Sequence, residues 1–238
     1  MSAVAVHELS LVLDDDAAGA AAAHDLRALR EGATARVRAA LADGAHAVRL
    51  TTGARALPAA RARVVTAAAA AAGRLAAPHA RVVLRADATL SGHLLEEYRA
   101  VDPAGFSVLL LVPAPPADGA RLLAWAQERS GGVFDAGRGA AVPLARLREQ
   151  GGAAVAAALA RAAATRAPAV CAPDAETADD LELIADGLRR AEGRGIAVTV
   201  RCARPFADVL AGDPAAARLP SPATAGPGRR ARTQAGEW

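Results

Sequence analysis

The sequence is 238 residues long, enough for one large α/β domain or two small ones around a substantial core. Alanine supplies much of the 53% apolar fraction and aromatics only 3%, so helices form readily while each buried position contributes little area. Lysine is absent, which excludes a GxxxxGK(S/T) phosphate loop and Schiff-base chemistry, and a net charge of +3 without an aromatic-interleaved basic face leaves nucleic acid out of the expected partners.

An apolar run over 9–13 has strand character and ends in Asp14-Asp15-Asp16. It lacks the basic flank of a secretion leader. No charge-free apolar stretch reaches the roughly 18 residues of a membrane span, the alanine tract 67–72 included. The expectation is a cytoplasmic protein with no membrane contact. Residues 24–30 read equally as a short strand or a helical turn. A helical pattern over 34–42 leads to a strand at 47–51, which runs into Thr52-Gly53-Ala54-Arg55. The segment 58–74 is helix-like but nearly all alanine and arginine, so its buried face is illegible. A strand over 81–84 passes into Arg85-Ala86-Asp87 and then a helix over 91–101. A strand at 107–112 and a helix at 119–129 follow. The glycine-rich stretch 131–145 matches no GxGxxG after a strand and reads as a connection with room for one short strand. Beyond it come a helix at 152–165, a strand at 169–171, a helix at 177–192 and a strand at 196–200. Thr177-Ala178-Asp179-Asp180 has the spacing of a helix N-cap with an acid three residues on.

This alternation predicts an α/β fold: three layers, a mostly parallel sheet with helices on both faces, Rossmann-like in organisation. The domain is expected to span 1–213, and the Pro-, Gly- and Arg-rich stretch 214–238 reads as a disordered tail. Cys171 and Cys202 lie in apolar runs without CxxC or Cys/His spacing, which points to buried free thiols.

Polar clusters follow the first three strands: Asp14-Asp15-Asp16, then Thr51 through Arg55, then Arg85-Ala86-Asp87. In a parallel sheet the carboxyl ends share one edge, where open α/β sheets bind ligands. Carboxylates there can accept hydroxyl hydrogen bonds, or one can act as a base, for which Asp15 is the best candidate. Arg55 and Arg85 can hold a carboxylate in fork geometry, and the backbone at Ser91-Gly92-His93, opening a helix, offers donors to an anion. Duller roles exist for each. Asp14 and Asp16 can cap a helix or face water, Arg55 can serve a helix start, and Arg85 with Asp87 can form a structural ion pair. His24 and His93 have no ligand-spaced partner, so no metal site is expected.

Several segments, in order, resemble the four-carbon acid sugar kinases. Leu13-Asp14-Asp15-Asp16 through Gly19, with His24-Asp25, is similar to their DDDPTGTQTVHD opening. Thr52-Gly53-Ala54-Arg55-Ala56-Leu57-Pro58 resembles TNSRALP. Arg85-Ala86-Asp87-Ala88-Thr89-Leu90-Ser91-Gly92-His93, with Glu96 as the downstream acid, resembles RSDSTLRGH and is the most specific of the matches. Val112-Pro113-Ala114 through Gly119 is similar to VPAFPEAGR, and Val200-Arg201-Cys202-Ala203 through Phe206 and Gly212 to a closing RTAASF segment. The resemblance implies a substrate-binding N-terminal domain, with Asp14, Asp15, Arg55, Arg85, Asp87, Thr89, Gly92 and His93 as its sugar-acid-binding residues. It implies a threonate, erythronate or oxo-tetronate substrate, and ATP with Mg²⁺ as co-substrate and cofactor.

Departures from the family cluster at polar positions. Alanines stand at 18, 20, 21, 54, 86 and 88, a glycine at 53 and a serine at 91, and the family's long segment between Gly119 and Leu122, with its TEF…D motif, is absent. Beyond Gly212 only the Pro-, Gly- and Arg-rich stretch is read, so the nucleotide-binding half is expected to be missing from this chain. The chain is therefore expected to be inactive as a kinase alone, with no cofactor of its own, unless a separate nucleotide-binding chain completes it. The alternatives are a non-catalytic binding or regulatory module, or decayed homologue, and a haloacid-dehalogenase-like phosphatase built on Asp14 and Asp16. The phosphatase lacks a lysine to clamp phosphate.

Overall fold

A computed structural model describes residues 9–15 and 25–212. Its strands are β1 (Ser10–Asp14), β2 (Ala47–Thr51), β3 (Arg81–Arg85), β4 (Val108–Val112), β5 (Ala140–Val142), β6 (Val170–Pro173) and β7 (Val198–Cys202). They form one seven-stranded sheet in the order β2-β1-β3-β7-β4-β6-β5, and every pairing between them is parallel. The helices are α1 (Leu26–Ala42), α2 (Ala59–Ala76), α3 (Leu94–Val101), α4 (Gly119–Arg129), α5 (Leu144–Gln150), α6 (Gly152–Ala164), α7 (Ala178–Glu192) and α8 (Arg204–Leu210). The Rossmann-like α/β expectation holds.

Register decides which face each side chain joins. Leu13 aligns with Leu84, Leu84 with Arg201, and Arg201 with Leu111, so these four share one face of the sheet. Leu11, Leu13 and Leu84 pack there with Ala33 and Val37 of α1 and Ala69 and Ala70 of α2. Further along, Leu109 and Leu111 meet Leu94 and Tyr98 of α3 and Ala126 of α4. The other face carries Val12, Val83, Leu110 and Val200 against α6, α7 and α8. Small residues set the spacing of these layers. A Cβ on Gly187 of α7 would stand 2.6 Å from the Gly152 carbonyl oxygen of α6, so only glycine permits that helix contact.

Local chemistry fixes the boundaries. Asp25 caps α1, its carboxylate accepting from the Arg27 and Ala28 amides at 2.9 and 3.0 Å, so residues 25–30 open a long helix rather than a strand. The capping box at α7 is present: Thr177 Oγ1 accepts from Asp180 N, and Asp180 Oδ2 accepts from Thr177 N. The face of α2 hidden by its alanine content is Ala62, Val65, Thr66, Ala69, Ala70, Ala72 and Gly73. Helix α3 starts at Leu94 rather than 91, because Leu90 (φ 59°) and Gly92 (φ 110°) are left-handed. The connection 131–145 holds β5 and leads into α5, and α5 and α8 are short helices that the sequence pattern did not reveal. Asp16, His24 and the tail 214–238 lie outside the described residues. Among the described residues, no helix is long and apolar enough to cross a membrane.

Candidate functional site

The carboxyl ends of β2, β1, β3 and β7 bring the charged clusters together. At the end of β1, Asp14 is buried, and its Oδ2 accepts from Arg85 Nη1 of the adjacent β3. Arg49 of β2 lies 4.0 Å from the same oxygen. Thr52 donates twice to the Asp14 carbonyl, from its amide at 2.7 Å and its hydroxyl at 3.0 Å. Gly53 then turns at φ 62°, which starts the 3₁₀ turn Ala54–Ala56 and aims Arg55 back over the edge.

Arg55 and Asp87 close the rim. Arg55 Nη1 donates to Asp87 Oδ2 at 3.1 Å, and both side chains are about one-third exposed (33% each). Asp87 is itself held from its own loop. Its Oδ1 accepts from the Thr89 amide and hydroxyl, both at 3.0 Å, and from the Ser91 amide at 2.9 Å, while Oδ2 accepts from the Ser91 hydroxyl. Burial alone would push this carboxyl up, but the Ser91 and Thr89 donors outweigh it and hold it well below the usual carboxylate range. The duller alternative of an Arg85–Asp87 ion pair does not form: Arg85 pairs with Asp14, and Asp87 with Arg55. Thr89 fixes Asp87, and His93 ties the loop to the Arg55 turn through Nε2 and the Leu57 carbonyl at 2.7 Å.

Beneath this rim lies Asp15. Its amide donates to the Arg85 carbonyl at 3.1 Å, and its carbonyl accepts from the Arg55 amide at 3.3 Å. The carboxyl is buried, and its Oδ2 has no hydrogen-bond partner among the described residues. Burial, with the Glu97 charge added, pushes Asp15 up to about 7 against the opposing pull of Arg201 and Arg55. Gly92 covers it: a Cβ there would stand 3.2 Å from Asp15 Oδ2 and 3.1 Å from Arg201 Nη2. A buried acceptor without a donor is the feature a bound hydroxyl completes.

Sequence reasoning missed two members of this group. Arg201 is fully buried, and Nη1 donates to Glu97 Oε2 at 2.6 Å. The acid on α3 that joins the site is thus Glu97 rather than Glu96. Both were findable. Arg201 interrupts an apolar strand, where a charge demands a carboxylate, and Glu97 shares the helical face of Leu94, Tyr98 and Val101.

Residues 10–123 match the family model described as Sugar-binding N-terminal domain. The match agrees with the resemblance to the N-terminal substrate-binding domain of four-carbon acid sugar kinases, and the matched segment holds Asp14, Asp15, Arg55, Arg85, Asp87, Thr89, Gly92, His93 and Glu97. No curated protein matches the chain.

Two clefts lie around the sheet edges. One of about 600 Å³ adjoins the site beside Thr89 and is lined by Pro113, Pro116, Arg121 and Trp125. Another of about 430 Å³ sits at the amino edge, where Arg81 pairs with Glu192 and Ser107 with Thr199, so those polar groups already satisfy one another. Among the described residues, no group of three His, Cys, Asp or Glu side chains could hold a metal ion. Burial pushes the Cys171 thiol up to about 12 and the Cys202 thiol up as well, which makes both poor nucleophiles.

Proposed function

We propose that this chain is the sugar-acid-binding half of an ATP-dependent four-carbon acid sugar kinase, acting on threonate, erythronate or an oxo-tetronate. The observation that carries the reading is the convergence of Asp15, Arg55 and Asp87 on one sheet edge inside the sugar-binding segment. In this reading the guanidinium of Arg55, oriented by Asp87, grips the ligand carboxylate, and Arg85 with Asp14 forms the wall. A ligand hydroxyl donates to Asp15 Oδ2, the buried oxygen that lacks a donor. Asp15 then holds a proton-accepting position toward that hydroxyl, with an affinity for protons suited to neutral pH.

The described residues hold no group of three His, Cys, Asp or Glu side chains that could bind a metal ion, and phosphoryl transfer needs ATP with Mg²⁺. In this reading a separate nucleotide-binding chain in the cytoplasm supplies both, and this chain alone performs no transfer. A non-catalytic binding module is the second reading. It is favoured by the alanines at motif positions, since Ala54 and Ala86 are buried and present no hydroxyl to a ligand. The phosphatase reading loses ground, because Arg85 already occupies the carboxylate of Asp14.

A thermal-shift panel of L-threonate, D-erythronate and their oxo forms tests the reading. A rise in melting temperature with at least one acid supports it, and no rise at millimolar concentration overturns it. ATP-dependent phosphorylation of that acid, appearing when a nucleotide-binding domain of the same family is added, separates the kinase half from the passive module.

A further inference from the structure

Arg201 stands on β7, between β3 and β4 in the middle of the sheet, with its side chain fully buried. Its guanidinium serves three places at once. Nη1 donates to Glu97 Oε2 of α3 at 2.6 Å. Nη2 donates to the Ser91 carbonyl at 2.6 Å, and Nε and Nη2 both reach the Leu90 carbonyl at 3.4 Å. Asp15 Oδ2 is left 3.9 Å from Nη2, too far for a hydrogen bond. Two buried carboxylates thus face one cation, and Glu97 takes the closer position.

The carbonyls held by Arg201 belong to the loop that carries Asp87. That loop is left-handed at Leu90 (φ 59°) and at Gly92 (φ 110°), and such a conformation persists only when its surroundings fix it. A second tie comes from α4, where Arg129 Nη2 donates to the Gly92 carbonyl at 3.0 Å. Without the Arg201 contacts, Asp87 would lose its fixed position under Arg55.

We propose that Arg201 and Glu97 are positioning residues of the site: their pair clamps the 87–93 loop over Asp15 and keeps the guanidinium committed away from the Asp15 carboxylate. The assignment to sugar-acid binding rests on the proposed function, whereas the clamp itself rests on this geometry. The charged groups facing Asp15 are Asp14 beside it on β1, Arg55 from the 3₁₀ turn, Glu97 from α3 and Arg201 from β7. Two of them act with opposite sign. Glu97 makes the Asp15 charge harder to form, and Arg201 makes it easier.

The test uses the full chain with ¹³C-labelled aspartate, the Asp15 carboxyl signal being assigned by its loss in Asp15→Asn. Titration of the ligand-free protein is compared in wild type, Glu97→Gln and Arg201→Met. In Glu97→Gln a negative charge facing Asp15 disappears, so the midpoint falls by about one pH unit. In Arg201→Met it rises. Charge alone gives these opposite displacements, so the clamp is read from the loop: hydrogen exchange of the Thr89 and Ser91 amides, which donate to Asp87, speeds up in Arg201→Met and in Glu97→Ala, and unchanged exchange overturns the clamp. If Arg201→Met does not fold, amide exchange in Glu97→Ala decides alone. L-threonate and D-erythronate calorimetry on the same proteins separates the two ideas. Wild-type binding whose pH midpoint is unmoved in Glu97→Gln overturns the positioning role and leaves the site. Absence of wild-type binding overturns the sugar-acid role, while faster exchange of the Thr89 and Ser91 amides in the variants still upholds the clamp.

Discussion

At neutral pH the carboxyl of Asp15 meets two opposing demands, since burial asks it to be neutral and its proposed role asks it to accept a proton. Its protonation midpoint in the fold, about 7 against an ordinary 3.8, means that the folded state holds this proton across a range where the unfolded chain has released it. Stability from this group is therefore full below about pH 4 and is lost as pH rises toward about 7. Each pH unit of displacement corresponds to about 1.4 kcal/mol, so Asp15→Asn is expected to stabilise the protein at pH 8 by up to about 4 kcal/mol. Denaturant unfolding of both proteins at pH 5 and pH 8 checks this, with the gain larger at pH 8. The same variant should lose sugar-acid binding. A fall in stability at pH 8 would show that Asp15 is an ordinary structural carboxyl. Asp87 behaves in the opposite way, because its donors favour the charged form. Asp87→Ala removes the carboxylate that orients Arg55 and leaves the Thr89 and Ser91 donors without their acceptor, and is expected to weaken threonate binding tenfold or more, the order of magnitude of one lost charged hydrogen bond.

Among the elements, the loop between β3 and α3 holds left-handed backbone at both Leu90 (φ 59°) and Gly92 (φ 110°). Gly92→Ala places a methyl group 3.1 Å from Arg201 Nη2 at a φ of 110°, so a destabilisation of about 1–3 kcal/mol is expected in denaturant unfolding. Thr177→Ala, by contrast, removes the cap of α7 far from the site. It should cost about 1 kcal/mol and leave sugar-acid binding unchanged. Six of the strands and the capped start of α7 were legible in the sequence because apolar runs and N-cap spacing are local signals, whereas the Asp25 cap of α1 was not read. Short α5 and α8 were not, since seven residues span barely two turns and show no clear period. Within the site, Asp14, Asp15, Arg55, Arg85 and Asp87 were visible as strand-end clusters. Their pairing was not, because Arg85–Asp14 and Arg55–Asp87 are set by register between strands and by a turn. Arg201 and Glu97 meet across more than a hundred residues, and only tertiary packing joins them.

On the scale of the whole molecule, the site is confined to one half of the sheet. β2, β1, β3 and β7 supply its charged ends, while β4, β6 and β5 build the remaining half with α6 and α7 behind. The family match covers the first half of the chain, yet Arg201 enters from β7, so the later strands are needed to complete the floor beneath Asp15. The most direct measurement is calorimetric titration of the whole chain with L-threonate and D-erythronate at pH 8, alongside Asp87→Ala. Saturable one-to-one binding of at least one acid by the wild type, weakened tenfold or more by the substitution, is the predicted result. No heat at millimolar acid, or binding that Asp87→Ala leaves untouched, would contradict the placement of a sugar-acid site at this edge.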